Sequence, residues 1–265
     1  MKNRIERKLK ILKKAKRKAF VVFIMAGDPN LEATRRLVLE FDRIGVDLVE
    51  LGVAFSDPLA DGPTIQAASQ RVLSNNINIA KILKLVKRIR EKSQIPIALM
   101  TYYNPVFRLG ENKFLTQAKQ AGVDGVIIPD LIPEEAGDII KTSRKLNLST
   151  IFFLAPTSTK ERIRLVSKFS SGFIYYVSLT GVTGARKKIA SDLSKNIRLI
   201  KRFTKKPICV GFGISTSSQV KQISRLADGV IVGSAIVKNI QNNIGSKDLI
   251  KKISRQIKQL QGPLR

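Results

Sequence analysis

The chain has 265 residues, 43% of them hydrophobic, enough for one well-buried globular domain. It contains no histidine and a single cysteine, which excludes a Ser-His-Asp triad, a Cys-His dyad, a His-based zinc site and any disulfide framework. Lysine and arginine number 48 against 20 acids, a formal net charge of +28, so any acid–base chemistry falls to scarce carboxylates, tyrosines, lysines or the substrate itself.

The basic residues are densest at the N-terminus, in "MKNRIERKLKILKKAKRK", where Ile5, Leu9 and Leu12 keep helical spacing and predict an amphipathic helix over 3–14. That stripe fits three settings: a membrane surface, a transit peptide, or packing against the chain's own core. Short apolar, β-rich runs then recur at 19–26 (AFVVFIMA), 46–51, 95–101, 123–128, 149–154, 172–178, 207–211 and 228–232. Amphipathic segments separate them: "LEATRRLVLEFDRIG", "AKILKLVKRIREK", "NKFLTQAKQAG" and "PEEAGDIIKTSRKL". In the last of these Pro133, Glu134 and Glu135 predict a helix start, with acids at the positive end of the dipole. "SKDLIKKISRQIKQL" predicts a final helix.

Eight strands alternating with helices predict a (β/α)8 TIM barrel with an extra N-terminal helix, a single domain over 1–265; an open doubly wound sheet is the alternative. No apolar stretch reaches membrane-spanning length. Cys209, inside "PICVGFG", reads as a buried, inert strand thiol.

Two connections are longer than the rest, and both follow strands, on the face where barrel enzymes keep their sites. The first holds "VAFSDPLADGPTIQ", the second "LTGVTGARKKIASD". Glu50, between Val49 and Leu51 at the end of the second strand, points into the barrel mouth if its neighbours face the helices. A desolvated carboxylate there has a raised pKa and can exchange protons near neutrality, the reading its position favours over a structural acid paired with lysine. Asp57 before Pro58 is turn chemistry. Asp61 before Gly62 is either another turn residue or a second carboxylate folded back over the mouth opposite Glu50. Glycine-rich turns close the last three strands, "TGVTGAR", "GFGIS" and "VGSA", and together point to a phosphorylated ligand held by backbone N–H groups. No expected strand carries a lysine, so a Schiff-base aldolase lacks its electrophile.

The segments "FIMAGDP", "VELGVAFSDPLADGPTIQ", "LMTYYNPVFRLG", "AGVDGVIIPDLIPEE", "YYVSLTGVTGAR", "VGFGIS" and "GVIVGSAIVK" resemble the tryptophan synthase alpha subunit family over essentially the whole chain. The resemblance implies a (β/α)8 lyase that cleaves indole-3-glycerol phosphate to indole and D-glyceraldehyde 3-phosphate. It implies Glu50 as general acid and base, and Asp61 as the group that bonds the indole N–H. It places Gly184, Gly213, Gly233 and Ser234 at the phosphate, Phe23, Tyr102, Tyr175 and Phe212 around the indole, and Thr183 on a lid. It further implies no cofactor and no metal in this chain, a pyridoxal-phosphate-dependent beta subunit as partner in an αββα tetramer, and a cytoplasmic location, or the plastid stroma for an organellar chain. The pattern departs at Val22, Ala54 and Ile132, where the family often has proline, which bears on loop stiffness. The competing readings are another phosphate-binding barrel, a subunit that activates a partner without turnover, and a basic nucleic-acid-associating protein. The match of every loop to the family argues against the last despite the net charge.

Overall fold

The computed structural model describes residues 3–177, 186–211 and 213–264, with side chains from 192 onward in the helix Arg186–Phe203. Nine parallel strands line the centre: β1 Ala19–Met25, β2 Leu48–Gly52, β3 Ile97–Met100, β4 Gly125–Ile127, β5 Ser149–Ile151, β6 Phe153–Leu154, β7 Ile174–Val177, β8 Ile208–Gly211 and β9 Gly229–Val232. Their order is β5-β4-β3-β2-β1-β9-β8-β7-β6. The two ends of that order, β5 and β6, are consecutive in the chain and separated only by Phe152. β5 pairs with β4 and β6 pairs with β7, so one extended segment closes the ring. The expected strand 149–154 is therefore one barrel stave in two pieces. The Tyr175 N–H donates to the Phe152 carbonyl at 3.1 Å across the break. A closed parallel ring with outer helices is the (β/α)8 barrel, and the open-sheet alternative is excluded.

Strand alternation divides the core in two. Phe20, Val22, Ile24, Val49 and Leu51 face the helices in one buried cluster. Val21, Leu48, Ala98, Ile127, Ile151, Cys209 and Ile231 fill the barrel in another. Cys209 is fully buried, and burial pushes its thiol pKa well up, as an inert core residue requires.

The helix Arg4–Lys14 lies across the N-terminal end of the barrel, with Ile5, Leu9 and Leu12 joining the inner cluster. Of the three settings its sequence allowed, the apolar stripe takes packing against its own fold. Asn3 caps it: its Oδ1 accepts from the Glu6 N–H at 3.0 Å, while its Nδ2 donates to Ser149 Oγ at 2.8 Å and to the Asp124 carbonyl at 3.2 Å. Asp124, 2% exposed, takes Arg4 and Arg90 at 2.9 Å each and the Ile97 N–H at 3.0 Å. This polar cluster locks the first helix to the barrel floor.

One expected helix start is corrected. Pro133, Glu134 and Glu135 form a turn, closed by the Glu135 N–H donating to the Ile132 carbonyl at 3.1 Å, and the helix runs Gly137–Lys145. The three residues from Pro133 are taken up by that turn, so regular helix begins only at Gly137, where Ile139, Ile140 and Ser143 supply its buried face. No helix among the described residues is long and apolar enough to cross a membrane.

Candidate active site

Glu50 stands third in β2, in register with Phe23 on β1 and Ala98 on β3. Its neighbours Val49 and Leu51 belong to the helix-facing cluster and Leu48 to the barrel interior. The two-residue period therefore turns Glu50 inward. It is 0% exposed, and neither carboxylate oxygen has a hydrogen-bond partner among the described residues. A carboxylate desolvated without compensation favours its neutral form, and burial pushes its pKa up to about 8.

Asp61 lies in the connection that leaves β2. The peptide turns at Pro58, whose carbonyl accepts the Asp61 N–H at 3.0 Å. Gly62 then caps the helix Pro63–Ser74, with proline in its first turn. Gln66, one turn into that helix, donates from its side chain to the Asp61 carbonyl at 2.8 Å. Ser69, a turn further, holds Phe55 by both backbone groups, at 3.2 and 3.1 Å. From the next stave, the Tyr102 hydroxyl accepts the Ala60 N–H at 2.9 Å. Asp61 is half-buried, and burial pushes its pKa up to about 6 while the neighbouring Tyr102 hydroxyl pulls it back. Asp57, in the same loop, is exposed.

Tyr175 on β7 completes the grouping. Its phenol is pushed well up, first by burial and then by the charges of Glu50, Cys209 and Asp61. The two carboxylates and two tyrosines thus share one electrostatic neighbourhood at the C-terminal end of the barrel. Small residues make room there. A methyl group at Gly52 would lie 2.7 Å from Phe23 Cζ, and one at Gly211 2.6 Å from the Tyr175 hydroxyl. Phe23 also lies against Gly233, 3.3 Å from where a Cβ would stand, which links the aromatic wall to the last strand.

Gly233 is the N-cap of the helix Ser234–Gln241, with Ser234 its first residue. A helix start at the end of the final stave presents N–H groups and a positive dipole end to an anion. Gly213, at φ +69°, needs glycine. The following amides of Ser215 and Thr216 are spent on the Gln219 side chain, at 2.8 and 3.0 Å. The fold therefore gathers Glu50, Asp61, Phe23, Tyr102, Tyr175, Gly213, Gly233 and Ser234 at one end of the barrel. Thr183, Gly184 and Phe212 lie outside the described residues. Gln66, Ser69, Gly52 and Gly211 were not singled out from the sequence. The two glycines carry a signal, small residues at strand ends; Gln66 and Ser69 carry none, because their role appears only when the loop folds over the helix.

A closed (β/α)8 barrel that gathers two carboxylates, two tyrosines and a helix N-terminus at the C-terminal ends of its strands has the architecture of a barrel enzyme. The family model described as "Tryptophan synthase alpha chain" matches residues 9–263. A tryptophan synthase alpha chain from Geotalea daltonii is 49% identical over 257 residues, 97% of each chain. One from Geobacter sulfurreducens is 51% identical over 227 residues, 86% of each. The crystal structure of tryptophan synthase subunit alpha from Legionella pneumophila superposes with a TM-score of 0.92 at 34% identity, covering 100% of this chain and 99% of that one. A chain of the Pyrococcus furiosus tryptophan synthase α2β2 complex gives 0.86 at 36% identity, covering 93% and 99%. The protein belongs to the tryptophan synthase alpha chain family, lyases that cleave indole-3-glycerol phosphate to indole and glyceraldehyde 3-phosphate in tryptophan biosynthesis.

Proposed function

We propose that Glu50 and Asp61 carry the lyase reaction in this chain, Glu50 as the proton carrier and Asp61 as the charge partner. The observation that supports this most is Glu50 itself: a fully buried carboxylate without a hydrogen-bond partner among the described residues, whose charge and that of Asp61 both act on the Tyr175 phenol. Protonated Glu50 delivers its proton to indole C3. The ring becomes an indolenine whose N–H bears positive charge, and the Asp61 carboxylate accepts that N–H and stabilises the charge. The bond from C3 to the glycerol carbon then breaks; its electrons restore the indole. The hydroxyl proton of that carbon returns to Glu50 as the aldehyde forms. Every step is proton transfer or charge stabilisation, so the chain works without a cofactor of its own, and the pyridoxal phosphate belongs to the beta partner.

Phe23, Tyr102 and Tyr175 would flank the indole, with Phe212. The phosphate would sit at Gly213, Gly233 and Ser234, with Gly184 contributing from the connection after β7 and Thr183 from the same segment as a lid. A cytoplasmic location fits the reading. Leu59, Phe107 and Ile132, exposed by 83, 67 and 42%, lie in the connections that follow β2, β3 and β4, on the C-terminal side of the barrel. Exposed apolar side chains of this kind suit a protein partner, and the beta subunit is the partner of the family.

The test is indole release from indole-3-glycerol phosphate by the purified chain and by Glu50→Gln, with and without a matching beta subunit. The variant should lose about 10²–10⁴-fold in turnover, since an amide cannot carry the proton. Near-normal turnover in the folded variant would remove Glu50 from the reaction.

A further inference from the structure

The barrel end opposite the catalytic mouth carries a groove that the lyase reaction does not use. It has a volume of about 950 Å³ and runs between the helix Arg4–Lys14 and the segments that lead into β7 and β8. Lys10, Lys13, Lys14, Arg144, Lys168 and Lys205 line it, and Glu6 is the only acid on its walls. Lys10, Lys13, Lys14 and Lys205 are exposed and form no hydrogen bond or ion pair among the described residues. Lys206 differs: it is half-buried and donates to the Ser167 and Ser170 carbonyls, bracing the floor. Ser170, 2% exposed and also lining the groove, has a hydroxyl without a partner among the described residues.

We propose that this groove binds an anion carrying several linked phosphate groups, of the condensed-phosphate type. Several cations lining one concave surface focus field and favour a ligand of high negative charge. The aromatic residues present argue against a nucleic-acid strand. Phe203 is covered by the Arg164 guanidinium at 5.0 Å and Phe169 by the Lys168 ammonium at 5.3 Å. Each ring thus already has a cation over one face, whereas proteins that hold single strands offer free aromatic platforms for the bases. The site recognises phosphate charge alone.

The experiment is calorimetric titration of the full chain with inorganic tripolyphosphate near physiological salt, repeated with Lys10→Gln/Lys13→Gln/Lys205→Gln. A control triple, Lys251→Gln/Arg255→Gln/Lys258→Gln, removes equal charge from a separate basic hollow. The groove triple should weaken binding by about tenfold, as the loss of three exposed charge contacts gives. The control should stay within about twofold, and lyase turnover and circular dichroism of both should match the parent. Equal weakening in both triples would reduce the effect to net charge and overturn the proposal. So would displacement of tripolyphosphate by glycerol 3-phosphate, which places it in the catalytic phosphate pocket, or no binding at all. Tighter binding of an oligouridylate that the groove triple abolishes would replace the condensed phosphate with a nucleic acid.

Discussion

Glu50 and Asp61 are both carboxylates, and the fold gives them different protonation states near neutral pH. Glu50 is wholly buried and has no hydrogen-bond partner among the described residues, with a pKa pushed up to about 8; Asp61 is half-buried and restrained by Tyr102, at about 6. Between those values Glu50 holds its proton and Asp61 is anionic, the pairing that protonation of indole C3 requires. Below the lower value Asp61 gains a proton and loses its charge; above the upper value Glu50 loses the proton it must donate. The pH dependence of kcat/KM for indole-3-glycerol phosphate should therefore be bell-shaped, with limbs near 6 and 8. Asp61→Asn should remove the acid limb while lowering the maximum. A flat profile across this range in the parent chain would contradict the division of roles. Glu50 was legible as a candidate because an acid at the C-terminal end of an apolar strand has few explanations, a structural ion pair being the other one. Asp61 was legible only as one of two readings, because Asp before Gly in a loop is ordinary turn chemistry. What separates it from exposed Asp57 is the grip of Gln66 and Tyr102 on the loop, a tertiary fact.

The same contrast appears in the elements. The strand runs were legible as short β-branched segments because staves buried on both faces lack polar punctuation. Their ends were not, since partners decide them. β4 begins at Gly125 rather than 123, after Asp124 has turned its side chain to the Ile97 N–H. The break at Phe152 exists because the stave passes from pairing with β4 to pairing with β7. The N-terminal helix was read correctly as amphipathic, yet its address was open until Asn3 and Asp124 were seen to fasten it to the floor. Asn3→Ala removes the cap to Glu6 and leaves Ser149 without its donor. It should cost about 1–3 kcal/mol in unfolding free energy, read by urea denaturation, and leave turnover near that of the parent. A loss of turnover at unchanged stability would mean that the helix acts on the catalytic end, contrary to its position.

At the scale of the whole molecule the two barrel ends divide the work. One is sealed by a helix and the cluster of Arg4, Arg90 and Asp124; the other holds Glu50 and Asp61 and exposes Leu59, Phe107 and Ile132. Apolar side chains left in water on three successive connections have a cost that a partner's surface removes. Phe107 tests this best, because it sits on the helix Tyr103–Leu109, away from the loop that carries Asp61, with its ring 5.9 Å from that of Tyr103. Phe107→Asp places a charge within the rim proposed to meet the beta subunit. The lyase rate of the chain alone should stay within about twofold of the parent, since nothing in the reaction touches Phe107. The concentration of beta subunit needed for half-maximal activation should rise by about thirtyfold or more, the effect of disabling one central aromatic anchor. An unshifted titration would move the docking surface to another part of the rim. A fall in the uncoupled rate would show instead that the helix shapes the catalytic mouth directly.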